Sequence, residues 1–152
     1  MATPFSDVYF LFLSKITDNE LAGMEEEALE LNMEKWLLSG ISRFSTIGNR
    51  TRVQNFDRVL QLFNESLPYN EQEILALMML IEYLKANTIT GESLKEGLSS
   101  KDYSSYSPAK KIEALIKLKD TIEKDISAMI SRLSYSLENF KEVNKKWQII
   151  KI

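Results

Sequence analysis

The chain has 152 residues, of which 44% are hydrophobic and 27% are charged, and its formal net charge is −3. This length favours a single domain, and the charge argues against a dedicated nucleic-acid binder, because affinity for phosphate depends mainly on Lys and Arg. The sequence contains no Cys and no His. Disulfides, thiolate metal sites and most general-base designs are therefore excluded, and we expect no catalytic residue, no metal and no cofactor.

The first predicted element is a short helix in the stretch FSDVYFLFLSKI, with Ser6 or Asp7 as its cap. Apolar residues recur there at helical spacing: Phe5, Val8, Tyr9, Phe12 and Ile16. We expect this helix to pack on the core, and contact with a neighbouring subunit is the alternative. The start lacks a basic segment, and no long apolar run exists, so we expect neither a secretory signal nor a membrane span.

An acid-rich helix is predicted from about Met24 to Phe44. Seven acids and no Lys or Arg lie between residues 18 and 34, at the positive end of the helix dipole. Its apolar stripe consists of Leu29, Met33, Trp36, Leu37, Gly40, Ile41 and Phe44. A solvated face is the plainest interpretation of the acids, and a patch that meets a basic partner or repels DNA is the alternative.

The stretch STIGNRTRVQN, residues 45–55, is predicted to be a loop because it contains Gly48-Asn49. Arg50, Arg52 and Arg58 lie in or beside it and are the candidate residues for DNA contact. Solubilising charge is the alternative interpretation of these arginines. The following stretch, FDRVLQLFNESL, is predicted to be a short helix or an extended turn.

The stretch PYNEQEILALMMLIEYLKANTI predicts a helix with Asn70 as its N-cap and Glu73 as the partner in a capping box. The helix is apolar on nearly all sides, which predicts a place at the centre of the core. These apolar residues are Ile74, Leu75, Leu77, Met78, Leu80, Ile81 and Leu84.

A polar segment, about residues 91–107, is predicted to be an extended interhelical loop, longer than the roughly 2–8 residues usual in helical bundles. Tyr103 and Tyr106 are candidate partner-interface residues, because tyrosine offers rigid amphipathic contact area. Ser107-Pro108 then signals the start of a last helix that is expected to end near Leu137. Its stripe contains Ile112, Leu115, Ile116, Ile122, Ile126, Met129, Ile130, Leu133 and Leu137.

Residues 138–152 are predicted to form a C-terminal arm, with a short β-strand as one option. Trp147, Ile149, Ile150 and Ile152 are further candidate partner-interface residues, since an apolar end needs a cover, most simply by strand addition to a partner's sheet. A strand in the chain's own core is the alternative. The predicted fold is therefore all-α: a small helical bundle (1–137) with a long C-terminal helix, an extended loop and the arm (138–152).

No phosphate-binding loop, dinucleotide-binding fingerprint or nucleophile elbow occurs in the sequence, so we expect a protein that is not an enzyme. The strings TPFSDVYFLFLSKITDNEL, WLLSGISRF and LSSKDYSSYSPAKKIEALIKLKD resemble a family of small proteins from tailed bacteriophages and prophages. That family is associated with the head–tail connector, or neck. The resemblance extends from about residue 3 to residue 136, and the chain continues past SRLSYS, where the family pattern ends.

The resemblance implies an adaptor that forms a ring of roughly twelve copies between the portal protein and the next neck or tail protein. DNA would pass through the ring without sequence-specific contact. The protein would be made in the cytoplasm of a bacterial host and would reside in the virion. A tail-completion protein of the same neck region is the alternative within this resemblance. Two competing hypotheses come from other functional classes: a small helical nucleic-acid-binding regulator and a carboxylate metalloenzyme.

Overall fold

The computed structural model describes residues 1–16, 23–47, 52–97 and 108–150. Within these residues the chain forms four α-helices and a three-stranded antiparallel sheet, which confirms the predicted helical class. The elements in chain order are β1 (Thr3–Pro4), α1 (Phe5–Leu13), α2 (Glu26–Ile47), a 3-10 turn (Arg52–Gln54), β2 (Phe56–Asp57), β3 (Leu62–Phe63), α3 (Tyr69–Gly97) and α4 (Pro108–Ile150).

Helix α3 is the centre of the bundle and packs against α1, α2 and α4. The prediction that it is buried on nearly all sides is confirmed, because among its predicted apolar residues only Leu77 is half-buried rather than buried. Its start differs from the prediction: the helix begins at Tyr69, so Asn70 lies inside it and not at its N-cap. The Pro68 carbonyl accepts the N–H groups of Glu71 and Gln72 in the first turn.

Helices α1 and α2 contribute their predicted apolar faces to the same core. Helix α1 buries Phe5, Val8, Tyr9 and Phe12, and α2 buries Met33, Leu37, Gly40, Ile41 and Phe44. The predicted caps of α1 are wrong, since the helix begins at Phe5 after Pro4 and has no side-chain cap. Proline there fixes the backbone angle and leads the chain from β1 directly into the helix.

Two features join the three N-terminal helices closely. A Cβ built on Gly40 would lie 3.2 Å from Cβ of Met78, so the missing side chain lets the backbones of α2 and α3 approach each other. The rings of Phe12, Trp36 and Tyr83, one from each helix, form a cluster with centroids 5.5 to 6.2 Å apart. Aromatic pairs at such separations stabilise a core beyond the area that they bury.

The stretch predicted as a short helix or extended turn forms a β-hairpin, in which β2 and β3 pair with Phe56 opposite Phe63. Strand β1 pairs on the other side of β3, with Thr3 opposite Phe63. The sequence hides this hairpin because its turn, residues 58–61, contains no Gly or Pro, and Gln61 occupies the left-handed region with φ of 51°. Both phenylalanines face Phe5, at centroid distances of 6.0 and 5.0 Å, which fixes the sheet on the core.

Helix α4 begins at Pro108, as predicted, but continues to Ile150 instead of ending near Leu137. Most of the predicted arm, 138–150, is therefore helical and not a strand. This segment contains no Gly or Pro, and Glu142 and Lys146 have the spacing of a helix-stabilising pair. Residues 91–97 of the predicted loop are helical, because α3 extends to Gly97, and residues 98–107 of it lie outside the described part of the chain.

The packing of α4 on α3 sets the direction of α4. Ile74, near the start of α3, lines one pocket together with Met129 and Leu133 of α4. The chain between Gly97 and Pro108 spans at most about 40 Å, which is too short to return it beyond the start of α3, so the two helices are antiparallel. Leu133 lies beside Ile74, five residues after the start of α3, so the residues of α4 from about 139 onward run past that start and add roughly 18 Å of helix.

Candidate interaction surfaces

The most exposed apolar side chains of the sheet lie in the turn between β2 and β3, Arg58–Gln61, called here the hairpin tip. Val59 is 92% exposed and Leu60 is 66% exposed. The Oδ1 atom of Asp57 accepts hydrogen bonds from the backbone N–H of Val59, at 2.8 Å, and of Leu60, at 3.0 Å. This Asx turn fixes the backbone that carries the two exposed residues.

Two further contacts attach the hairpin tip to the helices. The carbonyl of Gln61 accepts the N–H of Phe5, the first residue of α1, at 2.8 Å. The Arg58 guanidinium forms an ion pair with Glu34 of α2, whose side chain is largely buried. The tip is therefore ordered before any partner binds, and little conformational entropy remains to be lost on binding.

A second candidate surface is the pocket between α3 and α4, called here the α3–α4 pocket. It has a volume of about 340 Å³ and is lined by Asn70, Ile74, Met129, Arg132 and Leu133. Two exposed tyrosines adjoin it: Tyr69 precedes Asn70, and Tyr135 lies one turn beyond Arg132. Met, Arg and Tyr are enriched at protein interfaces, so the composition of this region fits a binding surface.

The arginines predicted as candidate DNA contacts occupy different situations. Arg52 lies 3.8 Å from Glu65, and Arg58 pairs with Glu34. Arg50 lies outside the described residues. Arg43, at the other end of α2, bonds Glu123 of α4 at 3.2 Å. These carboxylates offset the positive charge of Arg43, Arg52 and Arg58, which lowers the potential that a phosphate backbone would meet.

The other predicted interface residues divide into two groups. Trp147, Ile149 and Ile150 belong to the helical backbone of α4, and their side chains are not described. Tyr103, Tyr106 and Ile152 lie outside the described residues. The sequence did not point to Val59 and Leu60, because two apolar residues in a short stretch are more often buried. The only local signal for their turn was Asp57.

The acidic part of α2 affects one buried phenol. Burial raises the pKa of Tyr9 to about 12, and the negative charges of Glu34 and Glu30 act in the same direction. Its hydroxyl is buried without a hydrogen-bond partner among the described residues. The phenol is therefore protonated throughout the physiological range, which does not suit a general base.

A search of the described residues for clusters of three or more acidic side chains able to hold a metal finds none. In the same part of the chain, no helix is both long enough and apolar enough to span a membrane. Comparisons of the chain with protein-family models, curated proteins and solved structures find no match.

Proposed function

We propose that this chain is a structural adaptor of a tailed-phage virion, which forms a ring in the head–tail connector between the portal protein and the next neck or tail protein. Two things support the proposal: the sequence strings that resemble the neck family, and the length of α4. Helix α4 contains 43 residues and continues past the start of the helix on which it packs. Such an extension suits an element that contacts another polypeptide.

The register of α4 supports an intermolecular role for this extension. Residues that pack on the core recur every seven positions, and both rows continue in the sequence to the end of the helix. The first row, Ile126, Leu133, Phe140 and Trp147, is unbroken, and the second, Ile122, Met129, Val143 and Ile150, is interrupted by Ser136. Ile122 and Ile126 are buried against the bundle. Helix α3 begins at Tyr69 and offers no further residues along the end of α4, and a neighbouring subunit or the portal protein would pack against the continued rows.

The charge of the chain is compatible with DNA passage through a ring. With a net charge of −3 and with its arginines Arg43, Arg52 and Arg58 next to carboxylates, the chain would hold few phosphates. DNA would then move past the subunits without being retained. A nucleic-acid-binding regulator, in contrast, requires affinity that falls steeply with salt.

Electron microscopy of particles from the same source, labelled with an antibody raised against this chain, tests the proposal. We expect label at the neck, between head and tail. Label at the head-proximal end of free tails would favour the tail-completion alternative, and particles without the chain would contradict both. A fluorescence titration with labelled duplex DNA distinguishes the adaptor from a nucleic-acid-binding regulator. Binding at low salt that weakens steeply as salt is added would favour the regulator.

A further inference from the structure

We propose that the hairpin tip of one subunit inserts into the α3–α4 pocket of the next copy of this chain. The inference rests on the proposed ring-forming function and names the contact that would join neighbouring subunits. Val59 is 92% exposed on a turn whose backbone is held by hydrogen bonds with Asp57 and Phe5. The ion pair of Arg58 with Glu34 also attaches this turn to α2. A rigid apolar projection of this kind suits a complementary depression, and the α3–α4 pocket has the chemistry to receive it.

The two surfaces match in polarity and size. The half-buried Met129 and Leu133 supply the accessible apolar surface of the pocket, and the remaining lining consists of the fully buried Ile74 and the exposed Asn70 and Arg132. Its volume of about 340 Å³ accommodates branched aliphatic side chains such as those of Val59 and Leu60. Methionine adapts its shape to an incoming group more readily than branched residues do, which suits Met129 to the wall of such a pocket.

The two surfaces also match in charge. Asp57 lies at the base of the hairpin tip, and Arg132 lies at the rim of the pocket. Within the described part of the chain, neither of them has an ion-pair partner. An insertion that places Val59 and Leu60 in the pocket brings an acid near an arginine, and this complementarity favours a second copy over an unrelated apolar partner.

The placement of the two surfaces gives the contact a direction. The hairpin tip is attached to α1 and α2, whereas the pocket lies between α3 and α4, so the two surfaces of one subunit are formed by different elements. A contact between two different surfaces of identical chains is head-to-tail, and repetition of it closes into a ring when the rotation between subunits permits. A tip-to-tip contact would instead stop at a dimer.

Disulfide trapping tests this contact cleanly, because the chain contains no cysteine of its own. Separate Val59→Cys and Met129→Cys proteins are mixed and oxidised, and the products are separated on non-reducing gels. We expect a covalent dimer between Val59→Cys and Met129→Cys. Its yield should be at least tenfold higher than the yield of the dimer between Phe10→Cys and Met129→Cys in the matched control mixture. Phe10 is a suitable control because it is 73% exposed and belongs to α1 and not to the hairpin tip. A double Val59→Cys/Met129→Cys protein should give a ladder of higher oligomers.

Several results would overturn the inference. A yield no higher than that of the control means that the hairpin tip does not contact the α3–α4 pocket of another copy. The same result is expected if the tip binds a different protein. Preferential dimers of Val59→Cys with itself mean a tip-to-tip contact. Sedimentation at high concentration gives an independent reading: Leu60→Asp should weaken self-association at least tenfold, and Leu31→Asp, also at an exposed leucine, should leave it unchanged.

The outcomes separate this contact from the proposed function. If trapping fails while antibody still labels the neck of particles, the subunits meet through other surfaces and the adaptor proposal stands. If trapping succeeds while the chain is absent from particles, the head-to-tail contact stands and the virion role fails.

Discussion

The guanidinium of Arg58 pairs with the carboxylate of Glu34, and this contact ties the β-hairpin to helix α2. The two ends of the pair differ: Arg58 is largely exposed, whereas the Glu34 side chain is 11% exposed and lies near Tyr9. The pair therefore holds a largely buried carboxylate in place. Removing the arginine would leave that carboxylate without its cation.

Replacement of Arg58 by Ala should lower the free energy of unfolding by about 1–2 kcal/mol, because a largely buried acceptor loses a charged donor. Urea denaturation measures the change, and a double-mutant cycle with Glu34→Gln isolates the pair. Arg52→Ala is the matched control, since Arg52 lies 3.8 Å from Glu65 and both are exposed. It should cost less than about 0.5 kcal/mol. Equal effects of the two alanines would contradict the role assigned to Glu34.

Gly40→Val should destabilise the bundle, because a Cβ at this position lies 3.2 Å from Cβ of Met78 and further methyl groups have no space. We expect a loss of about 1–3 kcal/mol, the usual range for overpacking a core. The control is Ser39→Val at the neighbouring exposed position, where only helix propensity changes. Thermal unfolding followed by circular dichroism measures both. A Gly40→Val protein as stable as Ser39→Val would show that α2 and α3 can separate freely.

Tyr9 should make the stability of the fold depend on pH in the alkaline range. Its pKa is raised from 10.0 to about 12, so the folded chain keeps the phenolic proton when the unfolded chain has already lost it. The corresponding stabilisation is complete below pH 10 and is lost as the pH rises toward 12. Tyr9→Phe should make the decline of the urea midpoint over this interval shallower.

Tyr135→Phe is the reference for that measurement, because Tyr135 is exposed. It should follow the pH profile of the unmodified chain. If Tyr9→Phe and Tyr135→Phe give the same profile as the unmodified chain, the phenol of Tyr9 titrates as it does in water. Tyr9→Phe should also retain full stability near neutral pH, because the hydroxyl that it removes has no hydrogen-bond partner among the described residues.

Assembly should change the surroundings of Trp147 if the extension of α4 is covered by another subunit or by the portal protein. The chain has two tryptophans, and Trp36 lies in the aromatic cluster with Phe12 and Tyr83. In a Trp36→Phe protein all tryptophan emission comes from Trp147. We expect that emission to shift to shorter wavelength when the protein joins the portal ring. An unchanged spectrum in a complex verified by electron microscopy would contradict coverage at this position.

The helical part of the fold could be predicted from the sequence because burial follows spacing. Ile74, Leu75 and Met78 repeat at helical intervals, and such a pattern has few alternative structures. The end of α4 could not be predicted in this way, because two local signals disagree. Ile149 and Ile150 are β-prone residues, whereas the absence of Gly and Pro allows the helix to continue. Local propensity gave the wrong answer there, and the continuity of the preceding helix prevailed.

The hairpin was missed for a different physical reason. Its turn takes its shape from the carboxylate of Asp57 and from Gln61 in the left-handed region, a conformation that the sequence usually marks with glycine or asparagine. The exposure of Val59 and Leu60 is a further consequence of tertiary structure, because it depends on Phe56 and Phe63 turning inward. The exposure of these two side chains can be derived only from the packing of the whole sheet against the helices.

The pairing of β1 with β3 joins parts of the chain that are far apart in sequence. Thr3 lies opposite Phe63, and its hydroxyl accepts the N–H of Leu67 at 2.9 Å. Closing so long a segment carries an entropy cost that the docking of α1 and α2 offsets, so we expect this junction to form late in folding. If the hairpin tip joins neighbouring subunits as proposed, a subunit that has not yet formed this junction would lack the contact surface at Val59, and only completely folded chains would assemble.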